Sequence, residues 1–228
     1  MIEAILWDLD GVLVDNAEFH YEAWRDLFRS LRRAFTIQEF QLTFGLRNDV
    51  ILNRFLDPLQ EEEIKALANK KERLFRKKLK GRVKPMAGAL DLLHHLLRVN
   101  KKLAIVSSTP RKNVEMILRS LSLENAFQAI IAEEDVRLGK PNPEGFLMAA
   151  ERLGVDSSRC AVIEDSPDGI EAAKQAGMTA IGLASTHNIG RLSRADLVVK
   201  SLGDADLVRL LSSGEAGVLG DSQTTSDV

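Results

Sequence analysis

Short apolar runs and long stretches of helical periodicity alternate along the chain, and the alternation changes character once. Residues 2–7, Ile-Glu-Ala-Ile-Leu-Trp, are short, apolar and β-rich, which predicts a buried strand. A single crossover helix does not follow. Instead Ala17, Tyr21, Trp24, Leu27, Phe28 and Leu31 recur at helical spacing. A shorter helix is expected near 37–44, another at 48–55, and a long, highly charged one at 60–79, punctuated by Gly81 and Pro85. From Met86 the pattern becomes a regular series. Helices at about 86–99, 110–121, 143–153 and 167–176 alternate with strands at 103–106, 129–132, 160–163 and 179–183. A last strand, 197–199, precedes a short helix near 204–211. Strands alternating with helices imply a mostly parallel sheet with right-handed crossovers. The layout is an α/β core of residues 1–14 and 84–212, interrupted by a helical unit at 15–83. That unit leaves the core right after the first strand and is placed to sit over its end as a cap. Thr109-Pro110, Asn142-Pro143 and Ser166-Pro167 read as helix starts with a polar cap and a proline at the first helical position. Gly154 and Gly177 fit helix ends. Residues 213–228, rich in Gly, Ser, Thr and Asp, are expected to be disordered. No internal repeat is visible.

The strand ends concentrate the polar chemistry. Asp8-Leu9-Asp10-Gly11 follows the first strand directly. Two carboxylates two residues apart point to the same side, and their repulsion calls for a compensating charge, most simply a hard divalent cation. Glu164-Asp165 ends another apolar strand, and Ser107-Ser108-Thr109 ends a third. Gly139-Lys140-Pro141 lies between them in sequence. In a parallel sheet these ends converge on one crevice. Acids for a metal, a hydroxyl and a lysine for an anion, and a carboxylate nucleophile make a set suited to phosphoryl transfer.

Composition narrows the alternatives. The chain has 228 residues, 45% hydrophobic content and a net charge of −2, which gives no bulk attraction to nucleic acid. Lysines and arginines crowd the 60–79 helix, but glutamates partly balance them and aromatics make up only 5% of the chain. A base-stacking surface is therefore not expected. No apolar stretch approaches the roughly 20 residues needed to span a bilayer. Residue 2 already begins the fold without a basic leader, so no signal peptide is expected. One cysteine, Cys160, excludes a disulfide framework and reads as a buried thiol at a strand edge. A cytoplasmic monomer acting on a small phosphorylated metabolite, without nucleic acid or membrane, is the resulting expectation.

Four segments in this order resemble the motifs of the haloacid dehalogenase-like superfamily of phosphohydrolases: Asp8 to Asp15, Ser107 after its strand, Lys140 in Gly-Lys-Pro, and Glu164-Asp165-Ser166-Pro167-Asp168-Gly169. The resemblance covers nearly the whole chain. It implies a Rossmann-like, mostly parallel sheet core with an inserted all-helical cap, of the subgroup holding phosphoglycolate phosphatase, sugar-phosphate phosphatases and beta-phosphoglucomutase. It also implies that Asp8 is the nucleophile and Asp10 the general acid and base. Mg²⁺ would then be held by Asp8, the Asp10 backbone carbonyl and Asp165, with Glu164 ligating directly or through water. Ser107, with Ser108 beside it, and Lys140 would bind the phosphoryl oxygens, and the helix beginning at Pro110 would aim N–H groups at them. Asp15 and Asp168 match family positions but are expected to organise loops.

The stretch 18–24 resembles the first cap helix of the mutase and its phosphatase relatives. There His20 and Trp24, spaced i, i+4, share a face. His20 is read either as a group coupled to Asp10 on closure or as a surface residue, and Trp24 as cap core partly open to the site. Gly45-Leu46-Arg47-Asn48 resembles the substrate loop, with Gly45 and Arg47 as contacts, and Lys71 is a second cationic candidate in an otherwise solvated run. The arginine stands one residue earlier than in the mutase pattern, and Pro110 interrupts the mutase Ser-x-Ser-Lys-Asn pattern. These departures favour hydrolysis over a phosphomutase. A dehalogenase has no need of Asp10 or Mg²⁺, and a phosphonate-cleaving enzyme replaces the second aspartate. A catalytically silent binding protein has no chemical need to hold Asp8, Asp10, Lys140 and Asp165 together.

Overall fold

The computed structural model describes residues 1–212; the 213–228 segment, expected to be disordered, lies outside them. Six strands form one parallel sheet: β1 (Ala4–Trp7), β2 (Lys102–Val106), β3 (Ala129–Ile131), β4 (Cys160–Glu164), β5 (Thr179–Leu183) and β6 (Leu197–Val199), in the order β3-β2-β1-β4-β5-β6. Sequence order reverses at β1, so the chain leaves β1 and its neighbours β2 and β4 to opposite sides and opens a crevice at their carboxyl ends.

The strands are apolar without a polar face because both faces are covered. Side chains alternate from β1. Ile5 and Trp7 join one buried cluster, and Ala4 and Leu6 join the other. On the first face pack α5 (Ala89–Arg98), α6 (Arg111–Ser120) and α9 (Ala205–Ser212), through residues such as Leu93, Ile117 and Leu207. On the second pack α7 (Glu144–Leu153) and α8 (Pro167–Gln175), through Phe146 and Ile170. Cys160 is buried at the start of β4, and burial pushes its thiol up to about 11.

Of the five helices between β1 and β2, the first four form the inserted unit: α1 (Ala17–Ser30), α2 (Ile37–Gln41), α3 (Asn48–Phe55) and α4 (Glu61–Leu79). They enclose an aromatic centre in which Phe28 stacks on Phe35 with centroids 4.7 Å apart, and Phe55 meets both edge-on. The two segments joining this unit to the core pair with each other. Asp15 N–H donates to Lys84 O (3.0 Å), Met86 N–H donates to Leu13 O (2.9 Å), and Val14 bridges Pro85.

The helix ends follow their chemistry with one correction. Ser166 caps α8, its hydroxyl accepting from Gly169 N–H, and Pro167 takes the first helical position. At α6 and α7 the proline itself, Pro110 or Pro143, occupies the cap, so Thr109 and Asn142 lie one residue outside the position expected of them.

Candidate functional site

The floor of the crevice is built by four chain segments. Asp8 follows β1 and is nearly buried, its N–H donating to Ile163 O at 3.0 Å. Gly11 then turns the chain at φ +85°; a Cβ there would fall on the Asp165 carboxylate. Lys140, from the loop between β3 and α7, reaches across the ends of β2 and β4. Its ammonium donates to Asp8 Oδ1 (2.5 Å), Glu164 Oε1 (2.5 Å) and Val106 O (3.1 Å). All three of its protons are thereby placed. Ser107, after β2, is buried, and its Oγ accepts from Thr109 N–H at 3.2 Å, which leaves the hydroxyl proton to donate. Asp165, after β4, accepts from the Thr186 hydroxyl.

Charge on this floor is out of balance. Burial pushes the Asp8 carboxyl up to about 8; Lys140 opposes that, while Glu164 and Asp10 add to it. Burial, then repulsion from Glu164 and Asp8, raises Asp165 well above the ordinary carboxylate range. Burial alone would lower Lys140, but attraction to Asp8 and Glu164 wins and holds it protonated. Three buried carboxylates around one ammonium are a place where a cation would be stabilised. Among the described residues no three His, Cys, Asp or Glu side chains gather as a ready metal cluster. Asp8 and Asp165 offer two carboxylates, and that donor set fits Mg²⁺, which binds through one or two carboxylates and completes its shell with water and phosphate. Glu164 is otherwise engaged. Its Oε2 accepts from the N–H groups of Asp165 (3.0 Å) and Ser166 (3.0 Å) and from Ser166 Oγ (2.9 Å), while Oε1 holds Lys140. A Cβ on Gly169 would land on that carboxylate. Direct ligation by Glu164 is not supported by this arrangement, because its lone pairs are spent.

Asp10 sits between floor and roof. Its Oδ1 accepts from Asn16 Nδ2 at 2.5 Å and lies 3.5 Å from His20 Nε2. Burial would raise its pKa, but His20 and Asn16 outweigh it and hold the carboxyl below its ordinary value. Two carboxylates two residues apart are thus pushed in opposite directions by their surroundings.

The roof comes from the helical unit. His20 is buried, stacks on Phe75 at 3.8 Å and lies 2.8 Å through Nδ1 from Lys71 Nζ. Lys71 also donates to Glu72 Oε1 at 2.8 Å and stands 5.1 Å from the Trp24 ring centre. Asp8, Asp10, His20, Trp24, Thr43, Gly45, Asn48, Lys71, Glu72, Ser107 and Ser108 all line one cavity of about 40 Å³.

The floor expectations, Asp8, Asp10, Ser107, Lys140 and Asp165, come together, and so do His20, Trp24, Gly45 and Lys71 above them. Lys71, the candidate in the otherwise solvated run, faces inward. It is 2% exposed because it falls on the inward stripe of α4 with Ile64, Leu67, Ala68 and Phe75. Its i, i+4 spacing to Phe75 was the available signal. Arg47 does not reach the cavity over Asp10. Its chain packs on Gly139, its Nε pairs with Asp49 at 3.2 Å and an Nη donates to Val136 O at 3.4 Å. It lines a neighbouring cavity with Glu133, Ser107, Ser108 and Lys140. The start of α6 is not open to an anion either, because Arg111 N–H donates to Glu134 Oε2 at 2.9 Å. Sequence reasoning missed Asn16, Thr186, Asn48, Glu72 and Asn113. Asn48 lies in the segment read as the substrate loop without being named a contact, and the others stand outside the residues singled out in the motifs.

The haloacid dehalogenase-like hydrolase family model matches residues 5–183. The validoxylamine A 7'-phosphate phosphatase of Streptomyces hygroscopicus is 33% identical, covering 89% of this chain and 95% of its own length. The beta-phosphoglucomutase of Bacillus subtilis is also 33% identical, over 90% of this chain and 92% of its length. Among solved structures, a beta-phosphoglucomutase from Clostridium difficile superposes with a TM-score of 0.84 at 29% identity, covering 93% of this chain and 97% of that one.

Proposed function

The chain belongs to the haloacid dehalogenase-like hydrolases and is a phosphohydrolase, and from that premise we propose that it is a Mg²⁺-dependent phosphatase acting on a small phosphomonoester of the sugar-phosphate or phosphoglycolate type. The observation that carries the reading is Lys140 at 2.5 Å from Asp8, with Ser107 lining the cavity that Asp8 lines and Asp165 close enough for Asp8 to repel it. Lys140 holds one Asp8 oxygen and leaves the other to attack phosphorus, forming an aspartyl phosphate. Ser107 donates to the transferring oxygens and Lys140 sets its positive charge beside them, where negative charge spreads in the transition state. Asp10, in its protonated form, gives its proton to the leaving alkoxide and, as the resulting carboxylate, takes one back from the water that hydrolyses the aspartyl phosphate. The carboxylates of Asp8 and Asp165 and the Asp10 backbone carbonyl would hold Mg²⁺, which supplies electrostatic relief to a dianionic phosphate entering an acidic site. Glu164 orients Lys140. A cavity of about 40 Å³ has room for a few waters but not for a sugar phosphate, so the helical unit has to lift for substrate to enter. Lys71, Asn48, Glu72 and Thr43 around it suit a hydroxyl-bearing leaving group, and relatives named for sugar-phosphate substrates support that class.

A panel of sugar phosphates, phosphoglycolate and nucleotides, assayed for both phosphate release and isomer formation, tests the proposal. Phosphate release that EDTA abolishes and Mg²⁺ restores is the expected result. Isomer formation without phosphate release would favour a phosphomutase, the activity named for two of the relatives. Full turnover in metal-free enzyme would remove the cation from the mechanism.

A further inference from the structure

Lys71 and Glu72 pose a question that packing does not answer. Both are almost fully buried, at 2% and 3% exposure, beside an aromatic core that would accept apolar side chains there. Burying an ion pair costs several kcal/mol per ion before attraction is counted, and well-packed apolar residues often do as well or better. The pair also lies on the seam between helical unit and core. Burial would raise the Glu72 carboxyl, but attraction to Lys71 and the hydrogen bonds from Lys71 and Asn113 help to hold it below its ordinary value.

The partners of Glu72 run in two directions. Oε1 accepts from Lys71 Nζ (2.8 Å) and from Asn48 Nδ2 (3.0 Å), both within the helical unit. Oε2 accepts from Asn113 Nδ2 at 2.5 Å, and Asn113 belongs to α6 of the core. Asn113 is fully buried, and its Oδ1 in turn accepts from Arg76 of α4 at 2.7 Å. One core amide thus engages two side chains of α4, one turn apart, with its donor and its acceptor. In the other direction Lys71 donates to His20 Nδ1. A ring nitrogen that accepts there leaves the proton on Nε2, which faces Asp10 at 3.5 Å and has no hydrogen-bond partner of its own. The chain Asn113–Glu72–Lys71–His20–Asp10 therefore leaves the core, crosses the helical unit and returns to the core.

We propose that Asn113 is a positioning residue: by docking on Glu72 when the helical unit closes, it pins Lys71 against His20 Nδ1 and so presents the His20 Nε2–H to Asp10. The arrangement rests on the proposed role of Asp10 as acid and base. Closure and readiness for proton transfer become one event, because Asn113 and Asp10 are both core groups and the three residues between them are not. With the unit open, Glu72 loses its core donor, Lys71 is free to turn to water, and nothing selects the His20 tautomer. Asn113 itself touches neither Asp8 nor Asp10.

The test has two independent readouts. The first needs no substrate: ¹⁵N-histidine NMR of the full chain, with His20 assigned by its loss in His20→Gln. Wild type should show Nδ1 unprotonated and Nε2 protonated, and Asn113→Ala should show a tautomer mixture. The second is kinetics on the best substrate of the panel, where Asn113→Ala should lower kcat by about tenfold or more while KM changes less. Should Asn113→Ala misfold, Glu72→Gln serves, because it sets an amide donor against either Asn113 or Lys71 and should produce both changes. Combining Glu72→Gln with Asn113→Asp restores a donor facing an acceptor on both sides, and should recover most of the loss. A merely structural role would follow melting temperature and would not be repaired by exchanging the two groups. An unchanged His20 tautomer in Asn113→Ala, unchanged kcat, or a double variant no better than its parent would each overturn the proposal. If wild type shows no phosphatase turnover, the functional reading fails, while the NMR comparison still decides the coupling.

Discussion

At the scale of single residues the floor is a set of acids held apart by one lysine. Burial, with Glu164 adding to it, raises the Asp8 carboxyl, whereas at Asp10 the attraction of His20 and the hydrogen bonds from His20 and Asn16 outweigh burial and lower it. Asp8→Asn should abolish turnover, since an amide is no nucleophile, and mass spectrometry after substrate treatment should find no phosphorylated variant; a phosphorylated one would refute the assignment. Asp10→Asn keeps the backbone carbonyl and should bind Mg²⁺ almost as wild type, yet turn over about 10²–10⁴-fold more slowly. The raised carboxyl also makes a pH prediction. Folding lifts Asp8 from 3.8 to about 8, so between those values the folded state keeps a proton that the unfolded chain has lost. Stability in EDTA should therefore fall as pH rises through that window. Asp8→Asn should lessen the fall, and saturating Mg²⁺ should flatten it. Melting temperatures of the two proteins across the window check the sign; a stability gap that does not widen with pH would count against the site electrostatics.

At the scale of elements, the aromatic centre of the helical unit should behave as a small core of its own. Phe28→Ala removes a fully buried ring stacked on Phe35, and should cost about 3–5 kcal/mol where measured by denaturant unfolding. Lys71→Ala should alter kcat or substrate ranking across the panel. Arg47→Ala should do so less, because Arg47 faces the Lys140 loop and not the cavity over Asp10. The elements themselves were legible. Buried parallel strands leave uninterrupted apolar runs, as in Ala161-Val162-Ile163, and the long charged helix announced its end at Gly81. Strand order was not legible, since pairing β1 with β4 joins residues over 150 positions apart and leaves no mark in either run. Lys71 was legible as a candidate among solvated lysines, and its place on the apolar stripe is what separates it from them. Asn113 and Thr186 had no local signal, because their partners are brought to them only by the tertiary fold.

At the scale of the whole molecule, the closed seam is narrow enough to be bolted. A Cβ built on Gly45 would lie 3.5 Å from Ser166 Cβ, within the span of a disulfide. Gly45→Cys combined with Ser166→Cys should oxidise to a locked form with little turnover on sugar phosphates, and reduction should bring activity back to the level of the reduced double variant. The one native cysteine, buried Cys160, would not compete. Equal activity in both redox states would show that substrate enters without the helical unit lifting.

The paired crossing at Leu13–Met86 bears on how such a molecule can change over time. Because its two ends already meet, the inserted unit is, for the core, a loop that has been tied off. Loop closure grows only slowly with length, about 0.6 kcal/mol per doubling, so the knot costs nearly the same whatever hangs from it. The roof can then be lengthened, shortened or traded while β1 and its neighbours keep their register. A lineage can explore new substrates at one address on the chain and inherit its chemistry unchanged at another.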